Sequence, residues 1–163
     1  MTVFYHGGYN RGKVSVTQQL KEAIVAKNKV PLVEGLFTWP AEKPRLIGSR
    51  CKVCGSMSFP KQAYCPNPDC EKKTENVEVV ELSNRGKIYT WTVQVYPPAP
   101  PFKMEPFQPF PIGMIDLPEG LRVLGMLTTD KVDFGVDVEM TTRKLFEDDK
   151  NEYITWAFQP VQK

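Results

Sequence analysis

The sequence predicts a mainly β protein: an N-terminal helix, a metal-binding hairpin, and then a small barrel or sandwich of five or six strands. Three observations predict it. From residue 77 onward, β-branched runs alternate with short polar turns. All four cysteines fall within CKVCGSMSFPKQAYCPNPDC, residues 51–70. Ahead of both, SVTQQLKEAIVAKN (15–28) repeats Val16, Leu20, Ala23 and Ile24 at helical spacing. The chain has 163 residues, enough for one domain or for two small ones that share a modest core.

The elements follow in order. Residues 1–14 carry no periodicity and read as a tail that holds His6. Ser15 with Gln18 three residues on forms a capping box that opens the helix, and Pro31 ends it. PLVEGLFTW follows, and RLIGSR reads as a short strand that feeds the cysteines. VEVVEL (77–82) is the first β-branched run, SNRG supplies a turn, and KIYTWTVQVY (87–96) reads as a long strand. IGMIDL (112–117) and LRVLGML (121–127) flank PEG, which suits a tight hairpin. VDFGVDVEMTTRKLF and YITWAFQPV complete the set around the polar turn DDKN. Gly125 and Gly135 fit the bends of a small barrel, and Trp91 and Trp156 are expected in its core. The resulting division is 1–47 for tail and helix, 48–76 for the cysteine segment and 77–163 for the strands.

Cys51 and Cys54 have the C-x2-C spacing that lets two thiolates of one turn reach a single ion, and Gly55 behind them suits a knuckle. Cys65 and Cys70 stand further apart, with Pro66, Asn67, Pro68 and Asp69 between, so a bulged insertion is expected there. Ten residues separate the pairs, enough for a hairpin that brings all four sulfurs to one tetrahedral zinc site. Four thiolates close the shell, which makes such a site structural. Disulfides are disfavoured in a reducing compartment. Spacing does not separate zinc from an iron centre of the rubredoxin type, and thiols without metal are a further alternative.

With the cysteines on a metal, no nucleophile of that kind is left. The only histidine, His6, lies in the unpatterned tail, where packing is not expected to fix an imidazole for triad chemistry. No phosphate-cradling glycine motif occurs, and Asp148 and Asp149 read as solvated turn residues. No catalytic residue is therefore assigned. The net charge of +2, with both signs interspersed, argues against nucleic acid as the partner. Apolar runs stay short of a membrane span, and Met1–Val16 lacks the features of a secretion signal, so a cytoplasmic location is expected.

The order of these parts resembles the acyl-CoA-associated OB-fold family. The matching residues are CKVCG at 51–55, Pro60, Cys65, Pro66 and Cys70, RGKIYTWTV at 85–93, PIGMIDL at 111–117, RVLGML at 122–127, FGVDVEM at 134–140 and WAFQPV at 156–161. The resemblance implies an N-terminal helix, a rubredoxin-like zinc ribbon and a small OB-fold β-barrel, with structural zinc on Cys51, Cys54, Cys65 and Cys70. It also implies a hetero-oligomer, in which this chain binds a thiolase-fold catalytic subunit and helps form or cover the site for a coenzyme A thioester. Within the family the chain is similar to the zinc-containing small subunits of thiolases that act on β-ketoacyl-CoA. Readings from other classes are a zinc-ribbon and OB-fold binder of single-stranded nucleic acid and an iron-containing electron carrier.

YPPAPPFKMEPFQPFPIG (96–113) sets Tyr96, Phe102, Phe107 and Phe110 among seven prolines, a candidate partner surface unless the rings fold back onto their own barrel. A PxxP ligand for an SH3-type module is discounted. Leu20 and Ile24 of the helix are further contact candidates, with packing on the barrel as the alternative. Arg122, Arg143 and Lys144 are candidates for coenzyme A phosphates, and simple solvation is the alternative.

Overall fold

The computed structural model describes residues 27–71 and 73–161. Most of the expected helix, with Leu20 and Ile24, lies outside them, and so does His6. The expectation that the helix runs to Asn28 is corrected, because Asn28 opens an extended strand, β1 (Asn28–Pro31). The physical reason is a sheet partner: β1 runs parallel to a later strand, pairing Val30 with Tyr153 and Pro31 with Ile154. Among the described residues the helical geometry is a single 3-10 turn, Thr74–Asn76, so no helix there is long and apolar enough to cross a membrane.

Two sheets make the fold. The smaller holds β2 (Ile47–Cys51), β3 (Met57–Ser58) and β4 (Val77–Glu81) in the order β3-β2-β4. VEVVEL thus pairs with the strand that leads into the cysteines, from Ile47 opposite Glu81 to Cys51 opposite Val77. The larger sheet is built from β5 (Arg85–Gln94), β6 (Phe110–Asp116), β7 (Arg122–Leu127), β8 (Asp137–Glu147) and β9 (Asn151–Pro160). Its order is β1-β9-β7-β6-β5-β8, and β8 also pairs with β9, so five strands close into a barrel. One edge of β9 is shared: its first half takes β1, and its second half runs parallel to β7 through Ala157 and Phe158.

Closure follows from the residues that face inward. Ile88, Ile115, Leu117, Val123, Leu127, Val138, Met140, Ile154 and Phe158 form one buried cluster. At Gly125, on β7, a Cβ would stand 2.6 Å from the Phe158 ring, so glycine is what lets that ring fill the interior. The β6–β7 hairpin turns through PEG as expected, with the Leu117 amide donating to Leu121 O at 2.8 Å. Gly135 sits in the turn before β8.

The same core ties the two sheets together. Phe37, Leu46 and Leu82 flank the small sheet yet belong to the barrel's buried cluster. Glu119 of the β6–β7 turn accepts the Ser83 amide at 2.6 Å, which holds the link between β4 and β5. A second buried cluster lies under the proline-rich segment, where Met104 and Phe110 meet Met126, Leu145 and Ala157.

Candidate metal centre

Residues local to each cysteine decide where its sulfur points. Cys51 ends β2, and the chain reverses at once: the Gly55 amide donates to Cys51 O at 2.9 Å and the Cys51 amide to Ser56 O at 2.9 Å. Gly55 has φ +76°, which a side chain would strain, and this closes the first knuckle. The wider second pair closes by a polar turn. Asn67 Oδ1 accepts the Asp69 amide at 3.0 Å, and the Cys70 amide donates to Asn67 O at 3.2 Å. That turn absorbs the extra residues and brings Cys70 back.

The result is one cluster. Cys51 and Cys70 sulfurs are 3.8 Å apart, Cys54 and Cys65 sulfurs 3.4 Å, and all four lie within 4.8 Å of one another. Zinc–sulfur bonds of about 2.3 Å in a tetrahedron require sulfur–sulfur edges of about 3.8 Å, so the thiols present fit one zinc ion. All four are free cysteines. Cys51 and Cys65 are buried, whereas Cys54 is exposed.

Electrostatics around the sulfurs are uneven. Hydrogen bonding with the Ser56 side chain and then with its amide draws the Cys54 thiol down to about 6, and the Cys54 amide lowers Cys51. Burial acts oppositely, raising Cys65 and pushing Cys70 up to about 12. Four thiolates this close repel one another, so full ionisation needs a cation among them. A zinc ion held by Cys51, Cys54, Cys65 and Cys70 would supply that charge and hold the two knuckles together.

The other sequence candidates fall in different places. Phe110 is buried in the second cluster, and Phe102 and Phe107 pack against it, whereas Tyr96 is exposed. Arg122 binds Asp116 through two contacts of 2.6 and 3.0 Å and lies over the Tyr89 ring. Arg143 is half-buried and donates to Leu127 O at 3.4 Å. Lys144 pairs with Glu147 at 2.7 Å. The three cations are thus separately engaged. Trp91 and Trp156 are partly buried against the core.

Sequence reasoning missed the Ser56 hydroxyl at Cys54 and the contact of Phe59 with Trp156, whose centroids lie 5.7 Å apart. Ser56 was visible two residues from Cys54. Nothing local announces a contact between residues this far apart in the chain.

A four-thiol ribbon sharing one core with a closed five-stranded barrel defines a class: zinc-ribbon proteins with an OB-fold. Two family models match in that order, the ChsH2 rubredoxin-like zinc ribbon domain over residues 38–74 and the ChsH2 C-terminal OB-fold domain over 79–143. The chain belongs to the DUF35 family of such proteins. A DUF35 domain-containing scaffold protein of Pyrococcus furiosus is 37% identical over 127 residues, covering 75% of this chain and 88% of its own length. Benzoylsuccinyl-CoA thiolase subunit BbsA of Thauera aromatica is 40% identical over 97 residues, 60% of this chain and 61% of that subunit. Among solved structures, the Ltp2-ChsH2(DUF35) aldolase matches with a TM-score of 0.52 and 25% identity, over 71% of this chain and 84% of that chain.

Proposed function

We infer that the chain is a non-catalytic, zinc-bearing accessory subunit of a heteromeric thiolase, seated against a thiolase-fold catalytic subunit whose acyl-CoA site it helps form or cover. The observation that carries this reading is the convergence of every cysteine in the chain on one closed centre. Thiolysis of a β-ketoacyl-CoA needs a nucleophilic sulfur and bases fixed beside it. This chain has committed its sulfurs to structure, and its single histidine is His6. Relatives named as a scaffold protein and as a thiolase subunit support the reading from outside the chain. Arg122, Arg143 and Lys144 each already hold a partner, so the reading leans on a jointly formed surface and not on these cations.

The test is purification with and without a thiolase-fold chain. The two should elute together and cleave a β-ketoacyl-CoA, while this chain alone should show no thiolysis above background. Thiolysis by the isolated chain overturns the reading.

A further inference from the structure

Trp156 stands where three parts of the molecule meet. Phe59 of the ribbon hairpin approaches its ring edge-on at 5.7 Å, and Phe102 of the proline-rich segment does the same at 5.7 Å. Beside it opens a cavity of about 320 Å³, within the size range of small-molecule sites. Ile112 and Leu124 on the barrel's outer face, Thr155 and Trp156 on β9, and Pro98, Pro100 and Phe102 of the proline-rich segment supply its walls.

The walls bear no charge. Phe102, Phe110 and Trp156 present aromatic surface, which favours edge and offset contacts with another ring. The indole N–H is already donating to Leu124 O at 2.9 Å. The remaining polar side chain in the lining is Thr155, a hydroxyl on a residue only 4% exposed. A carboxylate or phosphate placed there would lose hydration without a counter-charge among the lining residues, since the cation beside them, Arg143, lies behind Phe110 at 5.9 Å from its ring centroid and donates to Leu127 O, whereas a neutral group with one oxygen would find one hydrogen-bond partner. The walls are also pre-formed. Phe110 and Leu145 are fixed in the second buried cluster, and prolines at 98 and 100 restrict the rim.

The geometry points to a binding site, on this chain itself, for an uncharged aromatic or compact aliphatic group that carries one carbonyl or hydroxyl oxygen. This goes beyond the accessory role, because the residues that line the site belong to this chain.

The test is titration of the full-length, zinc-loaded, ¹⁵N-labelled chain with acetophenone and, separately, with benzoate. The Trp156 indole cross-peak, identified through W39F and W91F variants, is the readout. Acetophenone should shift that peak saturably, with a dissociation constant of roughly 1 mM or tighter, and benzoate should bind at least about tenfold more weakly. Ala99→Trp at the exposed rim and Leu124→Arg at the half-exposed mouth should each weaken acetophenone by about tenfold or more. Val79→Ser, on the exposed face of the small sheet, should leave it unchanged. Thr155→Val should cost acetophenone about fivefold while sparing ethylbenzene. A shift that never saturates, equal binding of benzoate, or undiminished binding by both rim variants overturns the proposal. Because no partner subunit enters the titration, its failure would leave the accessory reading standing.

Discussion

Beyond Leu46, the side chains that the ribbon buries are Pro44, Ser49, Cys51 and Cys65, and its hydrophobics Met57 and Phe59 are only partly covered. The barrel buries Ile88, Ile115, Leu127, Val138, Ile154 and Phe158, and it closes through the β8–β9 pairing. Apolar burial at about 25 cal/mol per Å² can hold the barrel, but the ribbon lacks the area for it. What replaces that area is coordination, where the binding free energy of the ion serves as folding free energy. One half of the molecule is held by a solvent effect, and the other would be held by a metal ion on four clustered thiols, so different insults should dismantle them.

The largest effect should come from breaking the centre. Zinc in four-thiolate sites contributes on the order of 10 kcal/mol, so Cys51→Ser or exhaustive chelation should release the metal and unfold the segment between β2 and β4. Amide exchange in β8 and β9 should stay slow in the same sample, because those strands pair with each other along their length. Loss of protection in both halves together would show that the barrel depends on the ribbon.

The converse insult is to the barrel. Phe158 is fully buried, and Phe158→Ala should cost about 3–5 kcal/mol by opening a cavity. Gly125→Ala attacks the same place from the other side, since its methyl would meet that ring at 2.6 Å, and should cost about 1–3 kcal/mol. Denaturant midpoints measure both. Zinc content of the folded fraction should stay at one ion per chain.

That asymmetry also decided what could be read from the sequence. The metal centre was legible because its ligands are close in the chain, and C-x2-C with a following glycine is a local instruction. The five barrel strands were legible too, since alternation and turn residues mark a strand from within. Alternation assigns a face and names no partner, so nothing in VEVVEL said that it would pair with Ile47–Cys51. Nor did any signal place β9 between β7 and β8, which takes contacts between distant parts of the chain. The proline-rich segment left two readings open for a related reason: exposure of Phe102, Phe107 and Phe110 is decided by whether Met126, Leu145 and Ala157 offer a surface to receive them. Lys27 and Asn28 continue a helical pattern in sequence, but an open half-edge of β9 draws Asn28 into a strand.

A smaller effect probes the seam between the two halves. Phe59 comes from the ribbon hairpin and Trp156 from β9, and their edge-on contact crosses directly from one half to the other. Such pairs are worth about 0.5–1.5 kcal/mol beyond their area. A double-mutant cycle of Phe59→Leu and Trp156→Leu should return a coupling energy of that size in denaturant unfolding. After zinc removal the coupling should vanish, because the hairpin that carries Phe59 is then no longer held. A coupling that survives chelation would mean that the hairpin keeps its place on the barrel without the metal.

The smallest effect separates the halves by pH. At the end of β8, Lys144 and then Lys27 hydrogen-bond to Glu147 at 2.7 Å each and hold its carboxyl down to about 2, against 4.5 ordinarily. In the turn that follows, the Lys150 and Asn151 amides and the Tyr153 hydroxyl lower Asp148 likewise. A carboxylate with a depressed folded pKa adds stability that is complete above its unfolded value and is lost as pH falls through its folded value. The Glu147 contribution should therefore fade from about pH 4.5 down to about 2. Glu147→Gln should remove that part of the acid sensitivity, so the two proteins differ in denaturation midpoint at pH 6 and converge as the pH approaches 2. The pair is solvent-exposed, so the difference at pH 6 should be small and should shrink further in 1 M salt. Zinc release on acidification has another origin, protonation of thiolates, and both proteins should release the ion along the same curve. A variant that shifts the zinc curve would tie this turn to the ribbon, with which it shares no hydrogen bond or ion pair among the described residues.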